Sequence, residues 1–171
     1  MTIGFYENFP LNIHRYDKFN STISSKQLQK KIIQVLKDVN GKEYGFEEIA
    51  NPTVPGGRVI FEFGLAESGD FNYIDEEEVK KTLSFLTKER LNSMDFFCSI
   101  RYYKGSGINR SALKFDYYML RTVFSKDLLE VQVFHERGPR YLSPEELTMF
   151  IFSKVNDESS RNRKILKKTT N

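Results

Sequence analysis

The chain has 171 residues, of which 39% are hydrophobic and 29% charged, with a formal net charge of +3. That length suits one domain, and that balance supports a buried core within a solvated shell. No apolar run is long enough to cross a bilayer, residues 1–16 lack the basic-then-apolar pattern of a signal peptide, and the lone Cys98 excludes an internal disulfide or a cysteine metal cluster.

These features predict no membrane partner and a reducing, intracellular setting. Fifteen Phe and nine Tyr with no Trp predict an aromatic core rich in strands. Charge is unevenly spread. Residues 1–92 carry two more acids than bases, and residues 93–171 carry five more bases than acids. The basic second part permits a polyanionic partner without requiring one.

In chain order, Thr2–Tyr6 reads as a short strand, followed by loop. Leu28, Ile32, Val35, Leu36 and Val39 recur at helical spacing, with Ser24 or Ser25 as N-cap and Asn40-Gly41 as the stop. Tyr44–Ile49 is a weak strand. The segment Asn51-Pro52-Thr53-Val54-Pro55-Gly56-Gly57 must be a loop, because its prolines and glycines suit neither helix nor sheet. Arg58–Leu65 alternates, with Val59, Phe61, Phe63 and Leu65 on one face.

Asp75–Leu91 reads as the second helix, with Val79, Leu83 and Leu86 inward. Phe96–Tyr103 is a strand with Phe96, Cys98, Ile100 and Tyr102 on one face. Leu113–Phe124 is another, with Leu113, Phe115, Tyr117 and Met119 assigned to the inward face. Ser125-Lys126-Asp127 turns into a hairpin partner, Leu128–His135. Ser143–Val155 is the third helix, and residues 158–171 read as a basic, fraying tail.

The expected architecture is a single α+β domain. It has a mainly antiparallel sheet with about three helices on one face. The stretches from Glu67 to Val79 and from Glu136 to Leu147 resemble each other, which suggests pseudo-repeat halves 22–92 and 93–157 built on a duplicated β-β-α unit. The alternative is two independent helix starts. Asp75 with Glu78, and Ser143 with Glu146, each form a capping box, and Ile74 with Val79 and Leu142 with Leu147 each form a hydrophobic staple.

On this reading the uncovered sheet face carries Arg101, Tyr103, Lys114, Asp116, Tyr118 and Thr122. The most suggestive loop is Lys104-Gly105-Ser106-Gly107-Ile108-Asn109-Arg110, whose glycines and flanking cations suit an anion as well as an ordinary hairpin. Arg101, Tyr103, Lys114 and Tyr118 mix rings with cations, as do nucleic-acid platforms and protein interfaces. His135 shares parity with Val131 and Val133 and so points inward; Arg137 follows it.

His14 and His135 are isolated, Cys98 sits on an apolar parity, and Asp75-Glu76-Glu77-Glu78 is explained by the helix dipole. No catalytic residue, cofactor or metal ligand set is therefore assigned. The sequence favours a non-catalytic binding or assembly module. Its binding residues would be Arg101, Tyr103, Lys104, Arg110, Lys114, Tyr118, His135 and Arg137. The partner would be a protein or a second copy, with RNA or DNA as an alternative. A small enzyme acting on a phosphorylated or anionic substrate near Arg101, Lys104, Arg110, His135 and Glu136, and a homodimeric scaffold, are the competing readings.

Overall fold

A computed structural model describes residues 2–50, 54–105, 107–157 and 164–169. Ser24 begins the first helix, α1 (Ser25–Val39). Its hydroxyl accepts from the Gln27 amide and the Gln27 side chain reaches back to the Ser24 amide. This reciprocal box satisfies two of the amides that a helix start leaves bare. At the other end the Asn40 carboxamide stitches α1 to the sheet, donating to Phe63 O and Ile74 O and accepting from the Phe63 amide.

The described residues form nine strands and three helices. The strands are β1 (Arg15–Ser21), β2 (Glu43–Gly45), β3 (Arg58–Glu67), β4 (Asp70–Tyr73), β5 (Ser93–Lys104), β6 (Ser111–Ala112), β7 (Asp116–Ser125), β8 (Leu128–Arg137) and β9 (Leu166–Lys168). The remaining helices are α2 (Glu76–Lys88) and α3 (Pro144–Asp157). All nine strands pair antiparallel in one sheet of order β2-β3-β5-β7-β8-β1-β9, with β4 beside β3 and β6 beside β5. The chain is thus α+β, with a mainly antiparallel sheet.

One sheet face and the apolar stripes of the helices make a single core. Val59, Phe61, Phe63 and Leu65 of β3, and Phe96, Cys98, Ile100 and Tyr102 of β5, face the helices as their alternation predicts. Phe61 lies between Phe63 and Phe150 of α3, with ring centroids 5.9 and 4.9 Å away. Each such ring contributes roughly 1.5–3 kcal/mol by leaving water.

Four expectations change. Thr2–Tyr6 is not a strand; only Ile3 bridges to the sheet, opposite Glu67. The N-terminal strand is instead β1, where Phe19 alone is a buried hydrophobic and Asp17 and Ser21 are buried polar residues. The weak strand at Tyr44–Ile49 is β2 followed by a short 3-10 turn at Phe46–Glu48. The end of the basic tail is docked, because Leu166–Lys168 pairs with β1 and both Ile165 and Leu166 are buried. Arg161, Asn162 and Arg163 of that tail, with Asn51, Pro52, Thr53 and Ser106 of the two loops, lie outside the described residues.

The two similar segments differ in structure before their helices. Glu67-Ser68-Gly69-Asp70 is the tight turn between β3 and β4, whereas Glu136 and Arg137 end β8 and lead into a loop. What they share is the caps. Asp75 accepts from the Glu78 amide at 2.9 Å, and Ser143 and Glu146 exchange bonds of 3.1 and 2.9 Å.

Candidate functional site

The register of β7 is opposite to the expected one. Asp116, Tyr118, Leu120, Thr122 and Phe124 face the helices, and Tyr117, Met119, Arg121 and Val123 face away. Local alternation is ambiguous here, because both faces carry rings and aliphatics. Long-range bonds at three residues settle it. Thr122 Oγ1 donates to Met94 O at 2.7 Å, the buried Tyr118 hydroxyl donates to Leu142 O, and Asp116 is enclosed by donors. Tyr118, expected on the uncovered face, is therefore a core residue.

Asp116 is fully buried and is the polar hub of one end of the sheet. Its Oδ2 accepts from the Tyr102 hydroxyl at 2.6 Å and the Tyr141 amide at 3.0 Å. Its Oδ1 accepts from the Arg140 amide at 2.7 Å and from His135 Nε2–H at 2.8 Å. A buried carboxylate is tolerated only when its lone pairs are satisfied in this way. Burial, followed by the Asp116 charge and its hydrogen bond, pushes the Tyr102 phenol far above its usual range. Tyr118 is raised too, chiefly by burial and then by Asp116.

Gly138 completes the hub. A Cβ there would stand 2.4 Å from Asp116 Oδ1 and 2.3 Å from Phe115 O, and its φ of +120° is one that other residues rarely adopt. The amides of Arg140 and Tyr141 thus strap the β8–α3 loop to the start of β7, while Tyr102 of β5 and His135 of β8 complete the shell around Asp116. Sequence reasoning missed this residue. The local signal was slight: Gly138 permits a close backbone approach, but nothing in the sequence says which residue makes it.

A bulge between Tyr117 and Tyr118 reverses parity at the end of β8. His135 pairs with Tyr118 and turns inward to Asp116, as its alternation predicts. Arg137 pairs with Tyr117 and turns outward, with its guanidinium 4.7 Å from the Tyr117 ring centre. One extra strand residue, Glu136, re-aims the side chain that follows.

The face away from the helices is half covered. Residues 2–14 cross it as an arm. The Gly4 amide donates to Ala66 O, the Asp95 amide to Gly4 O, and the Tyr6 amide to Asp95 Oδ2 at 2.7 Å. Arg121 grips buried Asp95 with two bonds of 2.8 Å and the Tyr6 carbonyl with one of 3.0 Å, and Phe9 lies 4.5 Å from its guanidinium. At the far end His14 stacks on Phe134, and its Nδ1 accepts from the His135 amide at 2.9 Å.

Beyond the arm, half-buried rings form a continuous chain. Tyr6 touches Phe71 at 4.8 Å, Phe71 touches Phe97 at 5.6 Å, Phe97 touches Tyr117 at 5.9 Å, and Tyr117 touches Phe115 at 5.9 Å. Phe71 lies against Gly64, where a Cβ would stand 3.2 Å from the Phe71 Cβ. At the Phe115 end a groove of about 580 Å³ is lined by Lys114, Phe115, Tyr117, Arg137, Gly138 and Pro139.

The structure brings only some of the expected binding residues together. Lys114 and Arg137 share the groove. Arg110 covers Tyr103 at 3.6 Å and pairs with Glu43, and Arg101 pairs with Glu62 at 2.9 Å. Lys104 is exposed at the end of β5. His135 lies on the opposite side of the sheet from Arg101, turned against Asp116. Cys98 is fully buried, which pushes its thiol well up. Among the described residues no group of three His, Cys, Asp or Glu is placed to hold a metal ion, and no helix is long and apolar enough to cross a membrane. Set against protein-family models, curated proteins and solved structures, the chain matches none.

Proposed function

We propose that the chain is a non-catalytic binding module that docks a protein through the half of the open sheet face left bare by its N-terminal arm. The ring chain from Phe71 through Phe97 and Tyr117 to Phe115 carries this reading. A contiguous apolar stripe facing solvent is costly unless something covers it, and Tyr, Phe, Met and Arg are the residues that concentrate in protein interfaces. A polyanion fits less well. Arg101 and Arg121 are already neutralised by Glu62 and Asp95, and Glu130 faces outward on the same sheet side. The enzyme reading has less support, since two of its expected site residues, His135 and Arg101, point to opposite faces.

Peptides selected by phage display on the immobilised chain test this. Their affinity should fall roughly 10- to 30-fold in Phe97→Ala and Tyr117→Ala variants that retain the native circular dichroism spectrum. Selected peptides that bind both variants as well as the parent would refute the assignment of the face. A dimer in light scattering that dissociates in the same variants would place a second copy on it.

A further inference from the structure

Four arginines on the strands of the outward face can be compared. Arg58 has Glu43, Arg101 has Glu62 and Arg121 has Asp95, but Arg137 has no carboxylate partner among the described residues. Nor has Lys114, across the groove. Both side chains belong to exposed residues, and a bulge in the sheet turns Arg137 to this face. Two uncompensated cations thus flank the last two rings of the chain, Tyr117 and Phe115.

The chain's own arm shows what such a surface accepts. Phe5-Tyr6-Glu7-Asn8-Phe9 crosses the sheet with Tyr6 on Phe71, Phe9 against the Arg121 guanidinium, and the Tyr6 carbonyl bonded to that same arginine. The bare half repeats the chemistry, with rings beside an arginine, but lacks the acid that Asp95 supplies to Arg121. The occupant must bring that acid itself. We infer that the groove between Lys114 and Arg137 binds an extended acidic-aromatic segment of a partner protein. A carboxylate of the segment sits between the two cations and an aromatic or aliphatic side chain lies on Phe115 and Tyr117. Charge complementarity sets the orientation and the apolar contact supplies most of the affinity. This inference rests on the docking face proposed above.

The probe is a short fluorescein-labelled peptide in which glutamates alternate with phenylalanine and tyrosine, followed by fluorescence anisotropy against the full chain. Controls replace every glutamate by lysine, or use labelled oligothymidylate. The acidic peptide should bind, and should weaken about tenfold in Lys114→Glu and in Arg137→Glu, with little weakening when Lys126, at the other end of the sheet, is changed to Glu. Both sites are exposed, so native melting curves for these variants separate lost binding from lost folding. Equal binding of the lysine peptide, or affinity indifferent to both charge reversals, overturns acid recognition. If substitutions at Phe97 and Tyr117 still abolish binding in that case, the docking face stands and only this inference falls. Preferred binding of oligothymidylate would overturn it in favour of a nucleic acid.

Discussion

Replacing Asp116 by Ala should be among the most damaging single changes in the chain. The carboxylate receives four donors. Two of them, the Tyr102 hydroxyl and His135 Nε2, belong to side chains with little access to water, Tyr102 being 1% exposed and the His135 side chain 9%. The amides of Arg140 and Tyr141 lie nearer the surface and can be rehydrated. Stranding two buried donors at about 1–3 kcal/mol each, with a small cavity in addition, costs roughly 3–5 kcal/mol. For a chain of this length that lowers the melting temperature by about 10–15 °C. Tyr102→Phe removes one donor and leaves the carboxylate three, so its cost is roughly 1–2 kcal/mol. Thermal melts followed by circular dichroism measure both. A loss below about 3 °C for Asp116→Ala would mean that water replaces the carboxylate freely, and the hub would not be the anchor of the β8–α3 loop.

Two further predictions concern pH. The phenols of Tyr102 and Tyr118 are held far above their usual value of 10.0, so above that pH the unfolded chain releases protons that the folded chain keeps. Their contribution is intact below pH 10 and is lost as pH rises, by about 1.4 kcal/mol per pH unit per phenol; urea midpoints that stay constant between about pH 9 and 11 would contradict this. At the acid side, His14 accepts the His135 amide through Nδ1, which only an unprotonated ring nitrogen does. Burial, then Arg140 and His135, lower its pKa from 6.5, so its contribution is complete above pH 6.5 and declines as pH falls from there through the folded value. A ring titration by NMR with a midpoint above 6.5, or a His135 amide resonance that ignores that titration, would remove this latch.

Much of the framework was legible from one sequence because the relevant signals are local. The stripes of α1 and α2, the caps at Ser24 and Asp75, and the alternation of β3 and β5 each lie within a dozen or so residues and point to one answer. The hairpin at Lys126-Asp127 is also local, and its Asp127 takes the left-handed conformation, with φ of 59°, that aspartate tolerates better than most residues. The parts that escaped are those decided at a distance. In β7 both parities are apolar enough to be buried, and the choice follows from Met94 O, Leu142 O and the loop amides around Asp116. β1 escaped because Asp17, buried in the sheet, is satisfied by Arg15 and by Lys168 from the far end of the chain. For the site, Lys114 and Arg137 were visible as cations, but their companionship depends on a bulge that alternation alone does not announce.

The buried hub and the open groove are two consequences of the same stretch of chain. Pulling Arg140 and Tyr141 onto Asp116 fixes the loop whose Gly138 and Pro139 form one wall of the groove. The bulge beside it sends His135 inward to the hub and Arg137 outward to Tyr117. A polar anchor of this kind adds little net stability over a well-packed apolar one, because four donors and a carboxylate must all be taken from water. What it supplies is definition: a loop lacking regular secondary structure is held in one conformation beside the proposed docking face. On that view the residue that most controls the groove is one that no partner can touch. Asp116 holds the Arg140 and Tyr141 amides directly behind Gly138 and Pro139, so Asp116→Ala is expected to loosen the groove wall while leaving its rings and cations in place.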